Sequence, residues 1–303
     1  MSQTFASRVR EHIAQLSPAE RRVAEYLRDH TEDVLFASAD QIGQATGTSN
    51  ATVVRAAQSL GYVGLPELKH ELGKDVIGAT RPSIRLRQRI EHAGNKPEEA
   101  IGYVFAEAGE RLSETQRIAD PAVVSAAVEC LADAREVVAF GLGLSAVSAR
   151  YLSMRLVRLG RRARDISVTG FSLADELMPL AEGDTVVMYV PGRLLPECEL
   201  VLDQAREVGA RVVLIADSLT GRLRDRVDAC LVATHSAGGL TAECLTSLVL
   251  TDALLLAVAA REKDRATRAS ERLNNLRERL YPDRVNRASS RARIKRETSR
   301  PTS

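Results

Sequence analysis

Residues 46–62 read TGTSNATVVRAAQSLGY. A Gly-Thr-Ser-Asn turn opens a segment with helical periodicity, and Leu-Gly-Tyr closes it. Val53, Ala57 and Leu60 recur at i, i+4 and i+7 and form one apolar face. Ser49 suits the N-cap. Asn50, Thr52 and Arg55 fall off the apolar face and are expected to point outward. A helix in plain solvent needs no such set, whereas a helix lying in a DNA groove does. Arg matches the O6/N7 edge of guanine, Asn matches adenine, and Thr donates to either or touches a thymine methyl. Thr48 and Ser49, small hydroxyls at a helix N-terminus, suit phosphate.

Upstream, "SPAE" (17–20) offers an N-cap serine, a proline at the first helical position and a glutamate that completes a capping box. The helix it starts runs to about His30, with Val23, Tyr26 and Leu27 as its apolar stripe. In "SADQIGQATG" (38–47) Ser38 and Gln41 form a second capping box. Ile42 and Ala45 are expected to face inward, and Gly47 ends the helix. Downstream, "GLPELKHELG" (64–73) starts a further helix near Pro66. Two short helices joined by "TGT", with a third packed before them, read as a helix-turn-helix whose second helix enters the major groove. A helical hairpin with no DNA role uses the same pattern. Residues 1–80 also carry eight Lys and Arg against ten Asp and Glu, where DNA binding profits from positive charge. Affinity is therefore expected to rely on a dimer.

From residue 136 the period changes. "EVVAF" (136–140), "DTVVMYV" (184–190), "RVVLIADS" (211–218) and "ACLVATH" (229–235) are short apolar runs. Helical patterns separate them: "AVSARYLSMRLVRLG", "ECELVLDQAREVG" and "CLTSLVLTDALLLAVAA". Apolar strands alternating with helices mean a parallel α/β sheet, with ligands beyond the strands' C-terminal ends. Gly141, Gly143 and Ser145 lie in the first such loop, where a helix N-terminus favours an anion. A tight strand-to-helix turn explains "GLGLS" equally.

Composition bounds the rest. The 303 residues suffice for about two domains. With 4% aromatics and no Trp, base stacking is not the main mode of recognition. Cys130, Cys198, Cys230 and Cys244 are scattered without CxxC spacing, as are the five histidines. Neither a disulfide framework nor a zinc site is supported. No metal or cofactor is expected. The start lacks a signal-peptide pattern, and the most apolar helix (244–260) is short for a membrane span and contains Asp252. The chain is expected to be cytoplasmic, without a membrane partner. Net charge is +2, yet residues 261–303 hold fourteen Lys and Arg against six Asp and Glu. That basic segment favours polyanions, and its end also has the composition of a disordered tail.

In its order of parts the sequence resembles the RpiR (MurR) family of bacterial transcription regulators. "SPAERRVAEYL" and "SNATVVRAAQSLGYVGLPELK" carry the first half of the resemblance, and Gly-x-Gly-x-Ser after a strand carries the second. The second half resembles a SIS (sugar isomerase) domain, a fold that binds phosphorylated sugars. The resemblance implies an α + α/β protein. Residues 1–80 would be an all-helical helix-turn-helix domain and 81–120 a helical linker. Residues 121–280 would form a parallel-sheet SIS-type effector and dimerisation domain, followed by a basic disordered tail at 281–303. It implies a homodimer or higher oligomer on double-stranded operator DNA, with a sugar-derived effector. The DNA-contacting set is Thr48, Ser49, Asn50, Thr52 and Arg55. The effector set is Gly141, Gly143, Ser145, Gly192 and Arg193, with Ser148 next in line.

The family's second phosphate loop, of the kind Ser-x-Ser-Gly-x-Thr, is replaced here by "YVPGRLLPE". Only Gly192 is kept. Val190 or Pro191 and Leu194 stand where hydroxyls would bond phosphate, and Arg193 offers a guanidinium instead. Phosphosugars are therefore expected to bind weakly, and an effector to contact Leu194 and Leu195. Two other functions fit parts of the pattern. One is a DNA-binding protein whose second domain only dimerises. The other is a phosphosugar isomerase, for which Glu197 or Glu243 would be the base and His235 a proton carrier.

Overall fold

The computed structural model describes residues 5–77, 82–190, 192, 194–217, 219, 223–235 and 244–280. The basic tail lies outside the described residues. The chain begins with α1 (Phe5–His12), α2 (Pro18–Asp29), α3 (Thr31–Val34), α4 (Ala39–Thr46), α5 (Asn50–Ser59) and α6 (Leu65–Ile77). Both capping boxes form, Ser17 with Glu20 and Ser38 with Gln41. Gly47 ends α4 in the left-handed conformation at φ +63°, which a side chain would strain. Val23 and Leu27 of α2, Ile42 of α4, and Val53, Ala57 and Leu60 of α5 meet in one core with Leu65 and Leu68. Ala45 does not join it. That residue is exposed, and Ala39 and Gly43 take the inward side of α4.

Next come α7 (Pro82–Ala93) and α8 (Pro97–Ile118). The polarity of α8 is inverted. Its buried residues are Tyr103, Glu107, Arg111, Glu114 and Thr115, while Ile101, Val104 and Phe105 are exposed. The polar side is bonded to both halves of the chain. Toward the N-terminal helices, Tyr103 Oη donates to the Phe36 carbonyl at 2.7 Å, and Glu110 accepts the Ala39 N–H at 2.7 Å. Toward the sheet, the Thr234 N–H donates to Thr115 Oγ1 at 3.1 Å.

After α9 (Pro121–Asp133) the α/β unit begins. It runs β1 (Val137–Gly141), α10 (Ser145–Arg158), β2 (Ala163–Ile166), α11 (Phe171–Leu177), β3 (Thr185–Val190), α12 (Pro196–Val208), β4 (Arg211–Ala216) and β5 (Ala229–Val232). Then come α13 (Leu245–Arg261) and α14 (Lys263–Leu280). The sheet is all parallel, in the order β2-β1-β3-β4-β5. Covered on both faces, its central strands are apolar beyond their first residues, and every residue of β3 is buried. Alternate side chains serve two cores. Val187 and Tyr189 pack with α9, α10 and α13; Val186, Met188 and Val190 pack with α11 and α12. Sequence reasoning did not find β2, whose ARDI is polar and only partly buried at the sheet's edge.

A buried ion pair ties β3 to the segment before β1. Asp184 is fully buried and accepts both Arg135 Nε (2.9 Å) and Nη2 (2.7 Å), as well as the Ala181 N–H (3.0 Å). Arg135 stays half exposed, with 52% of its side chain accessible, so the two partners are not equivalent. Asp184→Ala should destabilise the fold by about 2–3 kcal/mol in urea unfolding, because the Arg135 guanidinium and the Ala181 N–H lose their shared acceptor. Arg135→Ala should cost less than half of that, since water reaches the vacated position.

Candidate DNA-binding and effector sites

The turn between α4 and α5 is fixed by contact. A Cβ on Gly43 would stand 2.9 Å from the Thr48 carbonyl oxygen, so only glycine lets the two helices approach this closely. Ser49 caps α5 and is exposed; its Oγ accepts the Thr52 N–H at 3.3 Å. Thr48 is half-buried and holds Thr46 Oγ1 at 2.9 Å.

Asn50 and Arg55 are exposed, as expected, but Thr52 is not. It is 7% exposed. The buried stripe of α5 is Thr52, Val53, Ala56 and Ala57, wider than the 53/57/60 spacing suggests. Thr52 lies one turn before Ala56 and so shares its inward face. Its hydroxyl sits 2.9 Å from Ser49 Oγ and accepts Arg55 Nη2 at 3.3 Å. In this position Thr52 braces the cap and the arginine, and it offers nothing outward.

The open surface of α5 has two strips. Asn50, Val54 and Gln58 face Phe105, Gly109 and Ser113 of α8 across a cleft of about 420 Å³. Ala51, Arg55 and Ser59 face solvent. Two further cations of this half are Arg21 and Arg22. Both are exposed on α2, beside Glu20, whose carboxylate meets Ser59 of α5 at 3.4 Å. Hydrogen bonds from Ser17 hold the Glu20 carboxyl below the ordinary glutamate value, so it stays charged.

The second cluster lies at the C-terminal ends of the strands. Neighbouring strands β1 and β3 lead to opposite sides of the sheet, β1 toward β2 and β3 toward β4, which makes their ends the switch point. The loop 141–145 follows β1 and the loop containing Gly192 follows β3, with Gly141 paired to Tyr189. The fold thus brings the two expected ligand loops side by side. A Cβ on Gly141 would stand 2.5 Å from the Ser145 carbonyl oxygen, and Gly143 has φ +58°. Ser145 opens α10 and is 6% exposed. Ser148 is 1% exposed, and its Oγ has no hydrogen-bond partner among the described residues.

Gly192 is exposed, and Leu194 and Leu195 pack on the core beneath α12 as anchors of the loop. Arg193 lies outside the described residues, as does Glu243. Glu197 is half-buried in the first turn of α12. The His235 N–H donates to Asp217 Oδ2 at 3.0 Å, and its Nδ1 lies 2.6 Å from the Ala233 carbonyl. Among the described residues no cluster of three or more His, Cys, Asp or Glu is placed to hold a metal ion, and no helix is long and apolar enough to cross a membrane.

Gly141→Ala should therefore force the loop apart and lower stability by about 1–3 kcal/mol in urea unfolding, the usual range for overpacking. Gly143→Ala meets no neighbouring atom and should cost only about 1 kcal/mol through its positive φ.

Comparison with known proteins agrees with this architecture. Residues 3–77 match the helix-turn-helix domain of the rpiR family, and residues 130–257 match the SIS domain. The HTH-type transcriptional regulator YfhH of Escherichia coli is 25% identical over 267 residues, covering 86% of this chain and 93% of that protein. Bifunctional proteins named glk, such as that of Burkholderia thailandensis, are 26% identical, and the chain spans 33% of their length. The sugar isomerase domain of an RpiR transcription factor from Sphaerobacter thermophilus superposes with a TM-score of 0.55 at 27% identity, covering 58% of this chain and 98% of that one. The Vibrio vulnificus NanR protein, in complex with ManNAc-6P, shares the fold over 90% of this chain and 99% of its own, with a TM-score of 0.53 and 24% identity. A helix-turn-helix of this kind, joined to a parallel-sheet SIS domain, places the chain in the RpiR family of transcription regulators.

Proposed function

We propose that the chain is a sequence-specific DNA-binding regulator that acts as a homodimer and performs no enzymatic step. Residues 1–80 read the operator, residues 81–120 link, and residues 121–280 bind a carbohydrate derivative and pair two copies. The observation that carries the DNA half is the solvent-open strip of α5. Arg55 is exposed there, behind an N-terminus capped by Ser49 and held by the Gly43 contact. The free N–H groups of that N-terminus suit phosphate, and Arg55 suits a guanine edge. Relatives named as HTH-type regulators support the reading.

Arg55→Ala should weaken operator binding by about 1–3 kcal/mol in fluorescence anisotropy. The melting temperature should barely move, because no core contact is lost. Arg22→Ala should weaken all DNA sequences alike and lower the salt slope by about one. Wild-type operator affinity in Arg55→Ala would exclude the proposed base contact.

For the effector half, the carrying observation is the pair of buried hydroxyls, Ser145 and Ser148, behind Gly141 and Gly143. An orphaned Oγ such as that of Ser148 is costly unless a ligand group or water meets it. NanR in complex with ManNAc-6P supports a sugar-type ligand for this fold. Leu194 and Pro191 cannot donate to a phosphate as hydroxyls do. Two missing charge-assisted bonds, at about 1.5–3 kcal/mol each, lower phosphate affinity by about a hundredfold or more. Common phosphosugars at sub-millimolar concentration should therefore leave the melting temperature of the full chain unchanged, while a less phosphate-dependent sugar derivative raises it. Micromolar binding of a phosphosugar, lost in Ser145→Ala, would show a complete phosphate cradle instead. No binding by any carbohydrate would favour a domain that only dimerises.

A further inference from the structure

Arg55 is exposed on the solvent strip of α5, yet its guanidinium is not free to turn. Its Nη2 donates to Thr52 Oγ1 at 3.3 Å. Thr52 is 7% exposed, so its hydroxyl is fixed by the core that holds the rest of the side chain. That hydroxyl lies 2.9 Å from Ser49 Oγ, which in turn accepts the Thr52 N–H at 3.3 Å. Through two hydroxyls the arginine is tied to the N-cap of its own helix. One N–H of Nη2 is spent on Thr52, which leaves a second edge of the guanidinium with two donors.

A carboxylate stands on the other side. Glu20 of α2 accepts the Ser59 hydroxyl at 3.4 Å, and Ser59 lies one turn beyond Arg55 on the same strip. Hydrogen bonds from Ser17 are the main cause that holds the Glu20 carboxyl below its ordinary value, and the attraction of Arg55 adds to it. A negative charge beside a DNA-facing cation repels every phosphate that approaches. It does not repel the neutral O6 and N7 acceptors of guanine in the same way. An untethered arginine settles readily on phosphate, which takes more than half of protein–DNA hydrogen bonds. Arg55, tied on one side and flanked by Glu20 on the other, is steered away from that contact.

We propose that Thr52 and Glu20 determine sequence specificity by holding Arg55 toward a guanine edge, so that they set how well the chain discriminates between sequences rather than how tightly it holds DNA. The inference rests on the DNA-binding function proposed above. Thr52 touches no base itself and acts through Arg55. A guanidinium oriented before binding loses less freedom when it forms two bonds to guanine. Glu20 weakens the competing phosphate contact, and specificity is a difference between the two affinities.

The test uses the full chain, a duplex that the wild type selects from a random-sequence pool, and a shuffled duplex as reference. Both are titrated by fluorescence anisotropy at the same salt concentration. Thr52→Val keeps the buried shape and deletes the hydroxyl. It should lower the ratio of selected to shuffled affinity by about tenfold, the usual worth of holding one long side chain in place, with shuffled affinity and salt slope unchanged. Thr52→Ser keeps the hydroxyl and should keep the wild-type ratio. Glu20→Gln retains a capping-box residue and removes the charge, so it should strengthen binding to the shuffled duplex and lower the ratio. Replacing guanines singly by 7-deazaguanine, which lacks the N7 acceptor, should weaken wild type at the guanine that Arg55 reads and weaken Thr52→Val less. Equal loss on both duplexes in Thr52→Val makes Thr52 merely structural and overturns the proposal. So does an unchanged ratio in Thr52→Val or Glu20→Gln where Arg55→Ala lowers it, and Arg55 then reads DNA without a brace. If no sequence is enriched, or if Arg55→Ala leaves the ratio untouched, the DNA-binding function itself falls and takes the inference with it. Should Thr52→Val fail to fold, Glu20→Gln, outside the core of α5, decides by the same ratio.

Discussion

A buried ammonium group sets the relation between the two halves of this molecule. Lys69 of α6 is 7% exposed and donates to the Ala37 carbonyl. Burial pushes its pKa down, and the carboxylates of Glu110 and Glu107 on α8 oppose that shift. Removing a charge from water is expensive, and only close countercharges offset it. Those countercharges come from a helix outside the helix-turn-helix itself. Moving α8 away would strand Lys69, and it would also release Tyr103 from Phe36 and Glu110 from the Ala39 N–H. Electrostatics of this sort favours one seated arrangement over a continuum of loose ones. The same helix carries Thr115, which accepts the Thr234 N–H just beyond β5. The N-terminal helices and the sheet are therefore fastened to opposite ends of one polar strip.

That strip explains why the inward side of α8 could not be read from the sequence. Periodicity separates an apolar from a polar side of a helix, and it assigns the apolar side to the interior by default. For α2 and α5 the default holds, since each packs in a core made by its own neighbours. On α8 it fails, because the partners are charged and polar groups from two different parts of the chain. Ile101 and Phe105 are consequently the outer surface. Thr52 failed for a related reason. A polar side chain at this position is expected to point outward, yet it meets Ser49 and Arg55 at a helix start where local hydroxyl bonding satisfies it.

What was legible depended on local chemistry. Capping serines, the left-handed Gly47 and the four apolar strands are each determined within a few residues, and the structure reproduces them. Edge strand β2 is determined by pairing with β1, which no local pattern records. Gly141 was legible as a glycine in a strand-to-helix turn. Its packing reason, the Ser145 carbonyl 2.5 Å from where a Cβ would lie, was not, because it depends on how α10 leaves the strand. The switch point was inferable from alternating strands and helices. That it gathers the loops after β1 and β3 followed only from the strand order.

Net charge poses the remaining problem for the proposed DNA-binding role, and geometry answers part of it. The helix-turn-helix half has few cations, and Lys69 is buried within the molecule. Arg8 lies over the Tyr62 ring at 4.7 Å and donates to the Gly61 carbonyl at 3.1 Å, so its guanidinium is held close behind the C-terminal end of α5. A monomer that neutralises few phosphates gains little from counterion release, which dominates the affinity of DNA-binding proteins. Joining two such readers changes the arithmetic, because the second engages at an effective concentration set by the linkage between them. Weak individual contact then becomes an advantage. In the proposed dimer the bound state depends on the relative placement of two helix-turn-helix units, each fastened through α8 to its own SIS domain, and a change at that domain has only to misplace one of them.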